Sequence, residues 1–81
     1  MSDRRAKNVV LYTRVGCHLC HDAAELLRAH GLAPQLIDID ADPVLRAAHH
    51  EWVPVVEIDG VIRFRGRIEP VLLRRLLADT N

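Results

Sequence analysis

Apolar residues in this chain come in short runs, and the period within them changes along the sequence. Asn8-Val9-Val10-Leu11-Tyr12-Thr13 is a compact β-branched and aromatic run that reads as a buried strand. After Arg14-Val15-Gly16 the pattern turns helical, with Leu19, Ala23, Leu26, Leu27 and His30 at helical spacing and Gly31 as a C-terminal stop. Pro34-Gln35-Leu36-Ile37-Asp38-Ile39 reads as a second strand. Asp42-Pro43 pairs an N-cap with a proline at the first helical position and opens a short helix to about His50. Val53-Pro54-Val55-Val56-Glu57-Ile58 is a third strand, Asp59-Gly60 a two-residue hairpin turn, and Val61-Ile62-Arg63-Phe64-Arg65 a fourth strand that Gly66 breaks. A last helix is predicted from about Glu69 to Ala78, with Val71, Leu72, Leu73, Leu76 and Leu77 as its apolar content.

The predicted order is β-α-β-α-β-β-α, an α/β domain with a mixed four-stranded sheet and three helices. A strand–helix–strand start implies a parallel pair with a right-handed crossover. The last two strands form an antiparallel hairpin. No linker, repeat or low-complexity tract divides the chain, so residues 1–81 are expected to form one domain, with 1–7 as a flexible tail.

Composition narrows the function classes. Nearly half the residues are apolar (49%), which suits a folded globule. Net charge is zero, which argues against a dedicated nucleic-acid or membrane-surface binder. The charged start Met1–Lys7 is followed by no apolar stretch of signal-peptide length, and no segment reaches transmembrane length. The cytosol is the expected compartment, where thiols stay reduced and a purely structural disulfide is disfavoured. A monomer is expected.

The only two cysteines stand in Cys17-His18-Leu19-Cys20, where the first strand gives way to the first helix. Two thiols three apart at such a junction read as a thiol–disulfide redox centre. Exchange needs a thiolate, whereas a free cysteine with pKa ~8.5 is mostly protonated at neutral pH. Lowering that value by about two units takes roughly 2.7 kcal/mol, while a helix N-terminus contributes about 0.3–1 and at most ~2. Backbone N–H groups of Leu19 and Cys20 and nearby cations must supply the rest; Arg14 and His18 are the candidates, with His21 one helical turn on.

Two other chemistries fit part of the motif. Cys17-His18-Leu19-Cys20-His21 matches the spacing of c-type haem attachment, but no export signal is visible and the only methionine is Met1. Zinc would need two of His18, His21, His49 and His50 beside the cysteines, and adjacent His49-His50 point to different sides of a helix. No bound metal, flavin or nucleotide is expected.

The element order is that of the minimal thioredoxin fold, and the chain resembles the glutaredoxin-like branch of that superfamily from Val9 to Leu77. Val10-Leu11-Tyr12-Thr13 leading into Gly16-Cys17-His18-Leu19-Cys20, then Trp52-Val53-Pro54-Val55 and Ile58-Asp59-Gly60, carry the resemblance. It implies a cis Val53–Pro54 bond facing Cys17, with the backbone of Val53 offered to substrate by strand-like pairing. It also implies that Cys17 is the exposed nucleophile and that Cys20, more buried, resolves the mixed disulfide. Glutathione-using relatives carry a basic residue where Arg14 stands. They also carry Gly-Gly and then an acidic residue before the last helix; here Arg65 replaces the first glycine, Gly66 is kept and Glu69 takes the acidic place. The implied substrate-binding residues are therefore Val53, Pro54, Gly66 and Glu69, with glutathione as a candidate co-substrate. His18-Leu19 matches neither the Gly-Pro of thioredoxins nor the Pro-Tyr of dithiol glutaredoxins.

These readings converge on a small dithiol oxidoreductase that reduces protein or low-molecular-weight disulfides. Its electrons would come from glutathione or a thioredoxin-reductase-like donor. The alternative is a non-enzymatic adaptor or redox switch binding a partner along the Pro54 edge. Trp52 either caps the active-site surface or fills the core or its rim, and Arg63, Arg65 and Arg67 read as a solvated face rather than an anion clamp.

Overall fold

A computed structural model of the chain describes residues 7–78; of the tail expected over residues 1–7, residues 1–6 lie outside the described residues. Strands β1 (Val9–Thr13), β2 (Gln35–Asp38), β3 (Val55–Ile58) and β4 (Val61–Arg65) alternate with helices α1 (His18–Ala29), α2 (Pro43–His49) and α3 (Pro70–Ala78) in the predicted order. The sheet order is β2-β1-β3-β4. β1 pairs parallel with β2, and β3 pairs antiparallel with both β1 and β4. This is the minimal thioredoxin fold.

Local signals set most element ends. Gly31, at φ +82°, follows the C-cap of α1, and the Leu32 and Gly31 amides donate to the carbonyls of Leu27 and Arg28. Those two bonds satisfy carbonyls that the helix end would leave unpaired. Asp59 and Gly60 both take positive φ, as a tight hairpin turn between right-twisted strands requires. The same turn is tied to the start of β1: Asn8 N donates to Asp59 Oδ1 at 2.9 Å, and Lys7 reaches Asp59 Oδ2 at 3.7 Å. Lys7, assigned to the flexible tail by the sequence reading, is thus anchored to the hairpin.

The structure corrects several boundaries. β2 ends at Asp38, and Ile39–Ala41 form a single 3₁₀ turn instead of continuing the strand. Asp38 starts that turn by accepting from Asp40 N at 2.9 Å, while Ile39 swings inward and is fully buried. β3 begins at Val55, two residues later than predicted, because the chain arrives through Trp52, Val53 and cis Pro54, and proline brings no N–H to a ladder. Glu69 lies outside α3 as its cap, its Oε1 accepting from Val71 N at 3.0 Å.

α1 and α3 cover one face of the sheet. Leu11, Ala24, Leu27, Val56, Phe64 and Leu73 form the centre of the core there. In α1 the buried positions are Cys20, Ala23, Ala24 and Leu27, an i, i+3, i+4, i+7 set. That phase turns Leu19, predicted on the inner face, outward to 50% exposure. In α3 only Leu73 is fully buried, with Leu76 and Leu77 half-buried beside it, so Val71 and Leu72 do not join the core. The opposite face is thinner. α2 has no buried residue; Leu45 and His49, four apart, are its half-buried positions, and His49 stacks on Tyr12 with ring centroids 4.7 Å apart. Tyr12 also donates to Glu57 Oε1 at 3.0 Å. Burial first, then that hydrogen bond, pushes the phenol pKa up.

One ion pair joins the end of β1 to the 3₁₀ turn. Arg14 Nε and Nη2 donate to the two oxygens of Asp40 at 2.8 and 2.9 Å. Its Nη1 donates to the carbonyl of His50 at 3.3 Å. The Arg14 hydrogen bonds hold the Asp40 carboxyl below the usual carboxylate range, and the same bonds hold Arg14 above its own.

Two outcomes follow from this packing. Leu73→Ala empties a site with no exposed surface and is expected to cost about 2–5 kcal/mol, read as a lower urea midpoint at unchanged slope. Asp40 has a depressed folded pKa, so its contribution is present above the unfolded value of about 3.9 and is lost as pH falls through the folded one. The stability difference between wild type and Asp40→Asn should therefore be flat above about pH 5 and shrink below it; urea titrations across the acid range measure this, and a difference that persists at low pH would contradict it.

Candidate active site

The centre lies at the N-terminus of α1. An N-cap residue has extended backbone and offers a side-chain acceptor to the amides of the first turn. Cys17 is that residue, with φ −88° and ψ 107°. Its Sγ accepts from Cys20 N at 3.1 Å, so sulfur does the work usually done by a serine or aspartate oxygen. Of the two amides expected at the sulfur, Cys20 N–H is the one that reaches it. Cys17 and Cys20 are joined as a disulfide, their Cα atoms 5.2 Å apart. Cys17 is half-buried at the surface and Cys20 is 2% exposed, so one sulfur faces outward and the other faces the core.

The loop before Cys17 is held at both ends. Cys17 N donates to Arg14 O at 3.2 Å, and the Arg14 side chain is fixed on Asp40 and His50 O. Arg14 thus lies beside the disulfide, but its charge is balanced by Asp40, and all three of its side-chain nitrogens already donate a hydrogen bond. Asp40 is a functional neighbour that the sequence reading passed over. Its place in Asp38-Ile39-Asp40-Ala41-Asp42 gave the only signal: Asp38 and Asp42 cap, leaving the middle carboxylate free to pair.

A groove of about 420 Å³ opens beside the disulfide, and Arg14, Cys17, His18 and Cys20 all line it. His18 is exposed on its rim. His21 is present too, its Nε2 3.2 Å from Glu25 Oε2. The groove also holds Arg28 and Leu36, neither of which sequence reasoning had placed near the cysteines.

Gly66 is brought to a second, smaller cleft of about 160 Å³ with Leu19, Asp22 and Arg67. Its N–H donates to the carbonyls of both Trp52 and Pro54, at 2.8 and 2.7 Å, which pins the segment before β3. Val53–Pro54 is cis. The Tyr12–Val55 pairing sets this bond at the end of β1 from which the Cys17 loop departs. Val53 N–H and C=O make no hydrogen bond among the described residues. Glu69 lines neither cleft; its carboxylate is turned to its own helix as a cap. Trp52 is 54% exposed and therefore no core filler. With Val15 (87%) and Leu19 it leaves apolar surface on the segments that flank the motif.

Among the described residues no group of three or more His, Cys, Asp or Glu side chains is placed to hold a metal ion. No helix is long and apolar enough to cross a membrane.

The arrangement agrees with what is known of other chains. A family model for the glutaredoxin-like domain (DUF836) matches residues 8–78. A solved structural-genomics target, XcR50 of X. campestris, is 35% identical, with a TM-score of 0.73 over 86% of this chain and 95% of that one. Glutaredoxin 1 of Francisella tularensis, solved with cacodylate, is 22% identical, with a TM-score of 0.67 over 91% and 100%. The glutaredoxin grx-1 of Archaeoglobus fulgidus is 20% identical, with a TM-score of 0.63 over 86% and 85%. These last two show likeness of fold. No curated protein sequence matches the chain. With a family match across nearly its whole length, and the paired cysteines capping the first helix, the chain belongs to the glutaredoxin-like domain family.

Proposed function

We propose that this protein is a cytosolic dithiol oxidoreductase that reduces disulfides in protein substrates. One observation carries the reading: an outward Cys17 sulfur and an inward Cys20 sulfur, joined at a helix N-terminus, with Cys20 N–H aimed at the outer sulfur. In the reduced protein the Cys17 thiolate attacks one sulfur of the substrate disulfide. The substrate S–S bond breaks, a Cys17–substrate S–S bond forms, and the other substrate sulfur leaves with the electron pair. The Cys20 thiolate then attacks Cys17 Sγ and releases the second substrate thiol. Two electrons have passed to the substrate, and the Cys17–Cys20 disulfide remains.

Substrate recognition is assigned to the unpaired backbone of Val53, which offers one donor and one acceptor to an extended segment, as an added strand would use them. Exposed Trp52, Leu19 and Val15 give that segment apolar surface to lie on. The oxidised protein needs an external reductant of the glutathione or thioredoxin-reductase kind. Asp40 holds Arg14, Glu69 caps α3 and Arg65 stands where a glycine would be, so three features that would grip glutathione are occupied or absent. That favours a protein donor.

Substitution separates the two sulfurs. Cys17→Ser is expected to reduce turnover of a protein disulfide to background. Cys20→Ser should still attack and accumulate a stable mixed disulfide, visible by intact mass. Ultraviolet titration of the reduced protein should put the Cys17 thiol below the ~8.5 of a free cysteine. An unshifted thiol together with an absence of trapped partners would favour the adaptor.

A further inference from the structure

The groove beside the disulfide continues well past it. One side of α1, through Cys20, His21 and Ala24 to Arg28, forms a wall; Leu36 of the edge strand β2, the register partner of Leu11 in β1, also lines the groove. Leu36 is 49% exposed, an apolar side chain left open on an outer strand. Eleven helical steps of about 1.5 Å put Arg28 roughly 16 Å from Cys17. An extended chain advances about 3.3 Å per residue, so about five residues span that length.

The lining charge is one-sided. Arg14, His18, His21 and Arg28 line the groove and no carboxylate does. Arg14 is neutralised by Asp40, and His21 lies against Glu25. Arg28 has no carboxylate partner among the described residues. The uncompensated guanidinium therefore sits at the end of the groove far from the sulfur. A cation in the last turn also suits the helix dipole, but the dipole does not account for a groove free of carboxylates that runs from that cation to a disulfide.

We propose that this groove seats the stretch of a peptide substrate on one side of its attacked cysteine, and that Arg28 receives a carboxylate about five residues away from it. The proposal rests on exchange at Cys17. It assigns the preferred substrate as an acidic segment of a disulfide-bearing protein; a small disulfide too short to reach Arg28 gains nothing from it.

The test uses reduced Cys20→Ser protein and single-cysteine peptides activated as mixed disulfides with thiopyridine. The Cys17 thiolate forms an S–S bond to the peptide, the peptide–pyridine S–S bond breaks, and the absorbance of the departing thiopyridine reports the rate. A peptide with Glu at the fifth position from cysteine, placed on either flank in separate peptides, is compared with its Gln counterpart and with Glu next to the cysteine. On one flank the distant Glu should give about a threefold faster reaction than Gln, the size of an exposed ion pair. The advantage should vanish at about 1 M salt. Arg28→Gln should bring the Glu/Gln ratio to one, and Arg28→Lys should restore part of it. A ratio of one in protein bearing Arg28, or a preference that survives Arg28→Gln, overturns the proposal. Amide shifts of Leu36 and Ala24 on adding the serine analogue of the Glu peptide are read in parallel. If Cys17 reacts with no peptide, the exchange reading fails, and the groove stands or falls on whether those shifts exceed the ones caused by the Gln analogue.

Discussion

The first turn of a helix leaves backbone N–H groups without intrahelical partners, and in this protein a sulfur atom takes one of them. The hydrogen bond from Cys20 N to Cys17 Sγ serves as the cap of α1 and, once the disulfide opens, as a donor aimed at a thiolate. A neutral thiol is a weak acceptor, whereas an anionic sulfur gains from both the amide and the helix dipole. On the proposed function, the group that caps the helix is thereby also the one whose anionic form the helix would favour. The rest of the fold serves to hold that turn in place: Cys20, Ala23, Ala24 and Leu27 fix the rotation of α1 against the sheet, so that one sulfur points inward and the other out.

Long-range electrostatics act on the same turn from the side. Arg14 is the natural cation for the thiolate, yet its bidentate bond to Asp40 makes the pair nearly neutral at a distance. The pair gains in geometry what it loses in field. Arg14 O holds Cys17 N, and Arg14 Nη1 holds His50 O, two residues before Trp52. One side chain thus links the loop that carries Cys17 to the segment that carries cis Pro54. Gly66, donating to Trp52 O and Pro54 O, braces that segment from β4. The sulfur receives its hydrogen bond from the helix, and its position relative to the cis-Pro54 segment is set by side chains far apart in sequence.

That division explains what could be read before folding. Element order was legible because each punctuating signal is local: Gly31 after α1, Asp42-Pro43 before α2, Asp59-Gly60 between β3 and β4. The motif was legible for the same reason, since Cys17 and Cys20 are one helical turn apart. The Arg14–Asp40 pair joins residues 26 apart through a 3₁₀ turn that no periodicity marks, so Arg14 could be named but its partner could not. In α1 the spacing placed Ala23 and Leu27 correctly and Leu19 not, since Leu19 shares a helical stripe with Ala23 but lies in the first turn, at the exposed end of the helix. The buried face runs instead through Cys20, Ala23, Ala24 and Leu27, three of them small side chains.

The outward turn of Leu19 bears on how so small a domain divides its apolar residues. A chain of 81 residues has a limited core, and an apolar side chain left in water forgoes about 1.5–3 kcal/mol of burial. Val15, Leu19, Trp52 and Leu36 all forgo much of it. The first three lie on segments that flank the Cys17 motif or cis Pro54, and Leu36 overlooks the groove that leaves the disulfide. Val44, Val61, Val71 and Leu72 are exposed elsewhere, so exposure alone marks no site; what sets these four apart is their place beside the disulfide and the cis proline. A peptide laid across Cys17 would cover these side chains, so the burial forgone in folding becomes available to a substrate on docking. On the proposed function, burial is forgone where the outer sulfur would meet a docking chain.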